Sequence, residues 1–456
     1  MLAAAAPVLL PLIAIVALAV AVVIHLYRRE GQLPVFDLGV LTILMTAVYS
    51  AVPLLGFWLA GLEWTQLSYL PLYLWNPGPR EVGAFSLRHL VYLYAFTATY
   101  LVFRGRVVIR PGPTRDLRDP TIAALLLVAL GLSGYFWGME EAYGVSYDPS
   151  YSNLASAPAA ASARIPYFVL QMSHNLFAIL FLVKLCALVW LMSRWRDWRW
   201  RTVLLSWIIA EGITTVMRMG ARTWFAMLLL ASVLLYHRLV KPLPFARAII
   251  LVATLLGGVL VYGVVRDLAN PAGGVQTLRN MAGAGSSRWA TMNEFQAIYG
   301  IAYDLYARHA AGRVGHVPWQ IHAGDFLLLI PSQMLPFTKA DPCVGYPLVD
   351  GQGVGCVLGV IALAVVGLDW VELVVRAMAL GLAFAVIHRW YARRQDEYWP
   401  TVFYLCLCLW CYYTFRASTF YFVYYVVYRF VPLLIAVRLT QMIVRRGLRA
   451  ADACGV

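Results

Sequence analysis

Apolar runs of about 20 residues recur from one end of this chain to the other, each long enough for a helix to cross a hydrocarbon core of ~30 Å. Such runs leave little freedom in fold. With 62% apolar residues against 13% charged, and a mean hydropathy of +0.71, the chain lacks the polar surface of a water-soluble domain. The sequence predicts an all-α polytopic membrane protein.

Spans are expected at 5–26, 36–60, 88–103, 119–138, 165–192, 202–219, 222–236, 247–265, 370–390, 398–414 and 417–442, eleven in all. Lys and Arg in short loops are retained on the cytoplasmic side. Arg28 and Arg29, five arginines from Arg104 to Arg118, the Arg194–Arg201 cluster, Arg238/Lys241/Arg247, Arg389/Arg393/Arg394 and Arg445/Arg446/Arg449 all follow odd-numbered spans. They make up twenty of the 36 Lys and Arg, which puts the N-terminus outside and the C-terminus in the cytoplasm. No basic segment precedes the first run, and Arg28–Arg29 follow it. It therefore reads as a retained span rather than a cleaved signal peptide.

The chain then divides into residues 1–265 with the first eight spans, 266–354 as an extracytoplasmic loop, 355–442 with the last three spans, and 443–456 as a cytoplasmic tail. Val354 to Gly367 is apolar enough to be counted as one more span, but that would move Arg389, Arg393 and Arg394 outside. It reads instead as a re-entrant or interfacial helix, whose backbone must be covered by protein or face a wet cavity.

The net charge of +14 is explained by the positive-inside rule and does not call for nucleic acid. Cys186, Cys406, Cys408 and Cys411 lie in apolar runs and serve as small hydrophobes. Cys343 and Cys356 fall outside, 13 residues apart, where an oxidising compartment permits a disulfide. No CxxC or HxxxH spacing accompanies them, which disfavours a metal.

Between Arg266 and Val354 the apolar pattern stops for 89 residues that hold six acids, six Lys/Arg and three His. Chemistry on a water-soluble group belongs here. After Ser286, positions Phe295, Ile298, Tyr299, Ala302, Leu305 and Tyr306 follow helical spacing, as an amphipathic helix lying on a core or membrane requires. Gly300 and Asp304 fall on another face, with Glu294 at its edge. Gly324 to Pro331 is too short to span and ends in proline. Aromatic outer segments at Gly61–Arg88 and Glu140–Arg164 suit either sugar stacking or an interfacial belt.

Four arginines stand near the outer membrane surface or within it. Arg218 and Arg222 flank a very short hairpin, Arg416 occupies the turn before the last span, and Arg429 lies inside that span. Each is costly unless paired or holding an anion. For Arg429 an internal partner is Glu211, for which Lys184 competes.

Taken together, these features resemble the bacterial oligosaccharide repeat-unit polymerases, the Wzy-type O-antigen polymerases related to O-antigen ligases and the wider GT-C class. The residues that carry the resemblance are Gly220–Ala221–Arg222 opening an apolar helix, Arg288 and Glu294 opening a long outer loop, the Ile330–Pro331 break, Pro336 to Lys339, the Gly-rich Gly351–Gly359, and Arg416. The chain departs from the family in having Ser332 after Ile330–Pro331, where an Arg often stands.

The resemblance implies transfer of a growing glycan from undecaprenyl diphosphate to a hydroxyl of the next lipid-linked unit, at the outer face of the inner membrane. A lipid diphosphate is already a good leaving group and needs charge stabilisation, which guanidinium groups give in bidentate fashion. Arg218, Arg222, Arg288, Arg416, Arg429 and Lys339 are the candidates. The hydroxyl must lose a proton, for which Glu294 is the first candidate, then Asp341 and His174. No DxD occurs, so metal-independent chemistry without a cofactor is expected. Partners would be the lipid-linked glycan as donor and acceptor, the bilayer, and a chain-length regulator. Two other readings stay open: a ligase or other lipid-linked glycosyltransferase, and a transporter or flippase, against which the odd span count and lack of repeats speak.

Overall fold

The computed structural model describes residues 2–59, 78–114, 167–218, 222–244, 294–312, 359–416, 426–435 and 437–442, with isolated positions elsewhere. Among the described residues the backbone is predominantly helical and contains no strand. The helices are α1 (Leu2–Glu30), α2 (Leu38–Leu59), α3 (Pro79–Arg104), α4 (Tyr167–Ser193), α5 (Trp198–Arg218), α6 (Arg222–Leu235), α7 (Glu294–Ala310), α8 (Gly359–Val366), α9 (Trp370–Arg393), α10 (Tyr398–Trp410) and the single turn α11 (Tyr413–Arg416). Two π-helical turns follow α6 and α11, at Tyr236–Val240 and Val426–Phe430.

Three of these helices are long and apolar enough to cross a bilayer: Ala5–Glu30, Leu38–Leu59 and Trp370–Arg393. Along α9, Val371, Val375, Met378, Leu382 and Val386 form an exposed apolar stripe, while Leu373, Ala377, Leu380 and Phe384 are buried. An apolar face outward as well as inward belongs in hydrocarbon rather than in water. The chain is an all-α membrane protein. Other expected spans are helical where described, at α3, α4, α5, α6 and α10. Those at 119–138 and 247–265 lie mostly outside the described residues.

The first compact unit comprises residues 1–109, 260–393 and 410–423. Helix α3 is its centre and packs against α1, α2, α7 and α9. Small residues set the spacing. A Cβ on Gly83 would lie 2.3 Å from the carbonyl oxygen of Pro7, and one on Gly381 2.8 Å from that of Phe96, so α1 and α9 approach the α3 backbone only because these positions are glycine. Helix α3 starts at Pro79, nine residues before the expected span, with Pro79 at its first position and the Glu81 carboxylate accepting from the Gly78 amide at 3.0 Å. Its first turns carry Arg80 and Glu81. Hydropathy alone therefore misses them.

At one end of this unit Asp37 accepts from the Val40 amide at 3.0 Å, capping α2. The same carboxylate accepts from Arg104 Nε at 2.8 Å and from the Tyr100 hydroxyl at 2.5 Å, and Arg104 also pairs with Glu30. Arg104 is only 1% exposed. The sequence pattern places it among the solvated loop arginines, whereas two carboxylates hold it inside.

The second unit comprises residues 110–259, 394–409 and 424–456. Here the Tyr398 hydroxyl donates to the Cys186 carbonyl at 2.7 Å, tying α10 to α4. Lys184 of α4 pairs with Glu211 of α5 at 2.5 Å, and Trp207 Nε1 donates to the same oxygen at 3.1 Å. Lys184, the competing partner expected for Glu211, thus pairs with it, while the side chain of Arg429 lies outside the described residues. Arg238, again assigned by sequence to a basic loop, is buried and donates to the Gly112 carbonyl at 2.7 Å.

Candidate functional site

Helix α7 begins at Glu294, and the apolar positions expected to face inward do so: Ile298, Tyr299, Ala302 and Leu305 are all buried. It packs on α2, α3 and α8. Because it is covered on several sides, Gly300 and Asp304, expected on its polar face, are buried as well. Aromatic rings make the seam. Phe85 of α3 meets Tyr299, Tyr303 and Tyr306 at 5.1, 5.5 and 5.4 Å, and Tyr49 of α2 meets Phe295 at 4.7 Å. Such edge and tilted pairs add to plain burial. The Ser86 and Tyr299 hydroxyls meet at 2.7 Å. Burial, with Glu81 and Tyr306 beside it, pushes the Tyr303 hydroxyl above its ordinary value, so it stays a protonated donor.

Helix α8 is eight residues, all buried, and rises only about 12 Å, too short to cross a bilayer. It ends in a turn through Asp369, which holds φ +46°, before α9 starts at Trp370. At its other end Gly359 has φ +72°, and a Cβ there would stand 3.3 and 3.4 Å from the carbonyl oxygens of Phe415 and Arg416 and 3.8 Å from the Ile298 side chain. This close approach brings three segments together. Ile298 is one helical turn beyond Glu294, and Phe415 leads into Arg416, so the start of α7 and the end of α11 share the neighbourhood of Gly359.

Beside them, along α3, stands a group that no sequence pattern marked. Arg88 grips Asp369 with two hydrogen bonds and lies between the rings of Tyr306 and Trp370, 4.5 and 4.6 Å from their centroids. One residue on, His89 Nδ1 lies 2.9 Å from the Ser50 hydroxyl, which also reaches the Thr46 carbonyl at 2.8 Å. His89 Nε2 has no hydrogen-bond partner among the described residues. Phe415 sits 5.6 Å from the His89 ring and 5.9 Å from that of Tyr92. A lone histidine inside an apolar span gave no spacing by which to find it.

The other expected site residues distribute as follows. Arg416 is part-buried at the end of α11. Glu294 opens α7, where the helix's own N-terminal partial charge also favours a carboxylate; its side chain lies outside the described residues. Arg218 closes α5 and Arg222 opens α6, with three residues between them and their side chains outside the described set. At the start of α6 the free backbone amides add to the guanidinium in favouring an anion. Arg429 lies in the π-helical turn Val426–Phe430 and His174 in α4, both in the second unit and both without a described side chain. Arg288, Lys339, Asp341, Cys343 and Cys356 lie outside the described residues. Cys186, Cys406, Cys408 and Cys411 are buried and not joined in disulfides.

No protein-family model, no curated protein and no solved structure matches the chain.

Proposed function

We propose that the chain polymerises undecaprenyl-diphosphate-linked oligosaccharide repeat units at the outer face of the bacterial inner membrane. A glycan moves from the lipid diphosphate of one unit to a sugar hydroxyl of the next, without a metal. The observation that supports the reading is the meeting of Ile298, one turn into the helix that Glu294 opens, with the backbone of Phe415 and Arg416 at Gly359. A carboxylate to take a proton and a guanidinium to hold a diphosphate are what such a transfer needs. Arg218, Arg222, Arg288, Lys339 and Arg429 are assigned to the diphosphate by charge chemistry, and Asp341 and His174 are the further acids and bases. A chain-length regulator is the proposed protein partner.

Deletion of the gene tests the reading. A surface glycan reduced from a ladder to a single capped repeat supports a polymerase, total loss of capping points to a ligase, and build-up of cytoplasm-facing lipid intermediates points to a flippase. A full ladder from Arg416→Ala, Arg222→Ala and Glu294→Gln variants would overturn the site.

A further inference from the structure

We infer that the turn between α8 and α9 carries a sugar-binding platform, with the Trp370 ring as stacking face and the Asp369 carboxylate as hydroxyl acceptor for a pyranose of the lipid-linked glycan. The inference rests on the polymerase reading for the identity of the glycan and the side of the membrane, and leaves the base at Glu294.

The backbone of this turn is unfavourable. Asp369 is the one non-glycine residue with positive φ among the described residues, at +46°, a region that most side chains enter only when their surroundings hold them there. Arg88 supplies the hold, with Nε and Nη2 on the two carboxylate oxygens at 2.8 and 2.7 Å. A well-packed apolar contact would join α3 to this turn as firmly, because an ion pair barely recovers the hydration its two charges give up. What the charged arrangement adds lies on its outer side. The Asp369 side chain is 34% exposed and Trp370 39%, while Arg88 behind them is buried.

The chemistry of that exposed side narrows its ligand. An ionised carboxylate has about four acceptor positions. Arg88 takes two, and hydroxyl donors can meet the others. The guanidinium also lies 4.5 Å from the Tyr306 centroid and 4.6 Å from that of Trp370, which holds the Trp370 ring in one orientation. A fixed aromatic face beside a carboxylate suits a flat C–H surface edged with hydroxyls, which is what a pyranose presents. A phosphate, by contrast, meets repulsion at Asp369.

Position agrees with chemistry. Leu368, 72% exposed, and Val371, 63% exposed, flank the pair and continue the outward apolar stripe of α9. The platform therefore stands at the rim of the hydrocarbon, where the sugars of a lipid-linked glycan lie. Helix α8, with its rise of about 12 Å, separates it from the Gly359 neighbourhood. It grips glycan remote from the reacting carbon and contributes binding without touching the proton transfer.

Two measurements on the full chain in detergent test the platform. Saturation-transfer NMR uses the repeat-unit oligosaccharide released by mild acid from the lipid-linked glycan. Contacts to its C–H protons are expected in the wild type and in Trp370→Phe, and should largely vanish in Trp370→Leu, which keeps apolar bulk but no ring. Initial rates of polymer formation from the intact lipid-linked unit should give Trp370→Leu a KM raised about 10-fold with kcat little changed. Asp369→Asn, which tolerates the same backbone, should raise KM as well, and an unchanged KM there would strike the carboxylate from the platform. A role in anchoring or folding alone makes Trp370→Leu and Trp370→Phe behave alike. That result, or a wild type without sugar contacts, overturns the inference. Sugar contacts that depend on Trp370 in a protein that makes no polymer would uphold the platform and overturn the polymerase reading.

Discussion

Arg88 and Asp369, 281 positions apart, are joined by two parallel hydrogen bonds, Nε to Oδ1 at 2.8 Å and Nη2 to Oδ2 at 2.7 Å. This fork ties α3 to the turn between α8 and α9, while the Tyr306 ring on one guanidinium face brings in α7. Arg88→Ala is expected to cost on the order of 1–3 kcal/mol, less than a fully buried pair because the Asp369 side chain is 34% exposed. Arg88→Lys keeps the charge but loses the fork and the stacking, and should fall between. Thermal unfolding in detergent measures both, and additive losses in Arg88→Ala/Asp369→Ala would show that the two residues do not act as a pair.

Gly359 offers a sharper test of the α7–α8–α11 meeting. Its φ of +72° disfavours any side chain, and a Cβ would press on two backbone carbonyls that cannot rotate away. Gly359→Ala should cost about 1–3 kcal/mol, and under the proposed function it should shorten the glycan ladder by displacing Arg416. A variant with wild-type thermal midpoint and a full ladder would contradict the close approach.

Asp304 gives a pH signature. Burial pushes its carboxyl above the ordinary value, against the pull of Arg308 at 2.9 Å. The folded protein then holds this proton more tightly than the unfolded chain, so the contribution is full below the unfolded value near pH ~4 and is lost as pH rises through the folded one. As pH rises above the unfolded value the wild-type midpoint should fall relative to that of Asp304→Asn. Parallel curves across that window would exclude the effect.

In the second unit the Lys184–Glu211 pair is held at 2.5 Å with both side chains 25% exposed. Glu211→Gln leaves the ammonium of α4 without its counter-charge and is expected to destabilise by roughly 1–2 kcal/mol, with Lys184→Met/Glu211→Gln recovering part of it. A midpoint unchanged in the single variant would mean the pair contributes nothing.

What the sequence determined by itself was the class of molecule and much of its helical layout. Apolar runs of spanning length leave a chain little choice in hydrocarbon, and helical spacing alone picks out the buried face of α7 at Ile298, Tyr299, Ala302 and Leu305. The competition of Lys184 for Glu211 was legible because both sit in neighbouring apolar spans where a charge needs a partner. Tertiary structure decided the rest. Arg104 and Arg238 read as loop charges, yet both are buried on partners, Asp37 and Glu30 for the first and the Gly112 carbonyl for the second. His89 and Tyr92 look like ordinary span residues until Ser50 meets the His89 ring and Phe415 packs against both. Hydropathy and spacing are properties of one segment, whereas an ion pair or a buried hydrogen bond depends on which distant segment packs against it. That choice is made only when the helices meet.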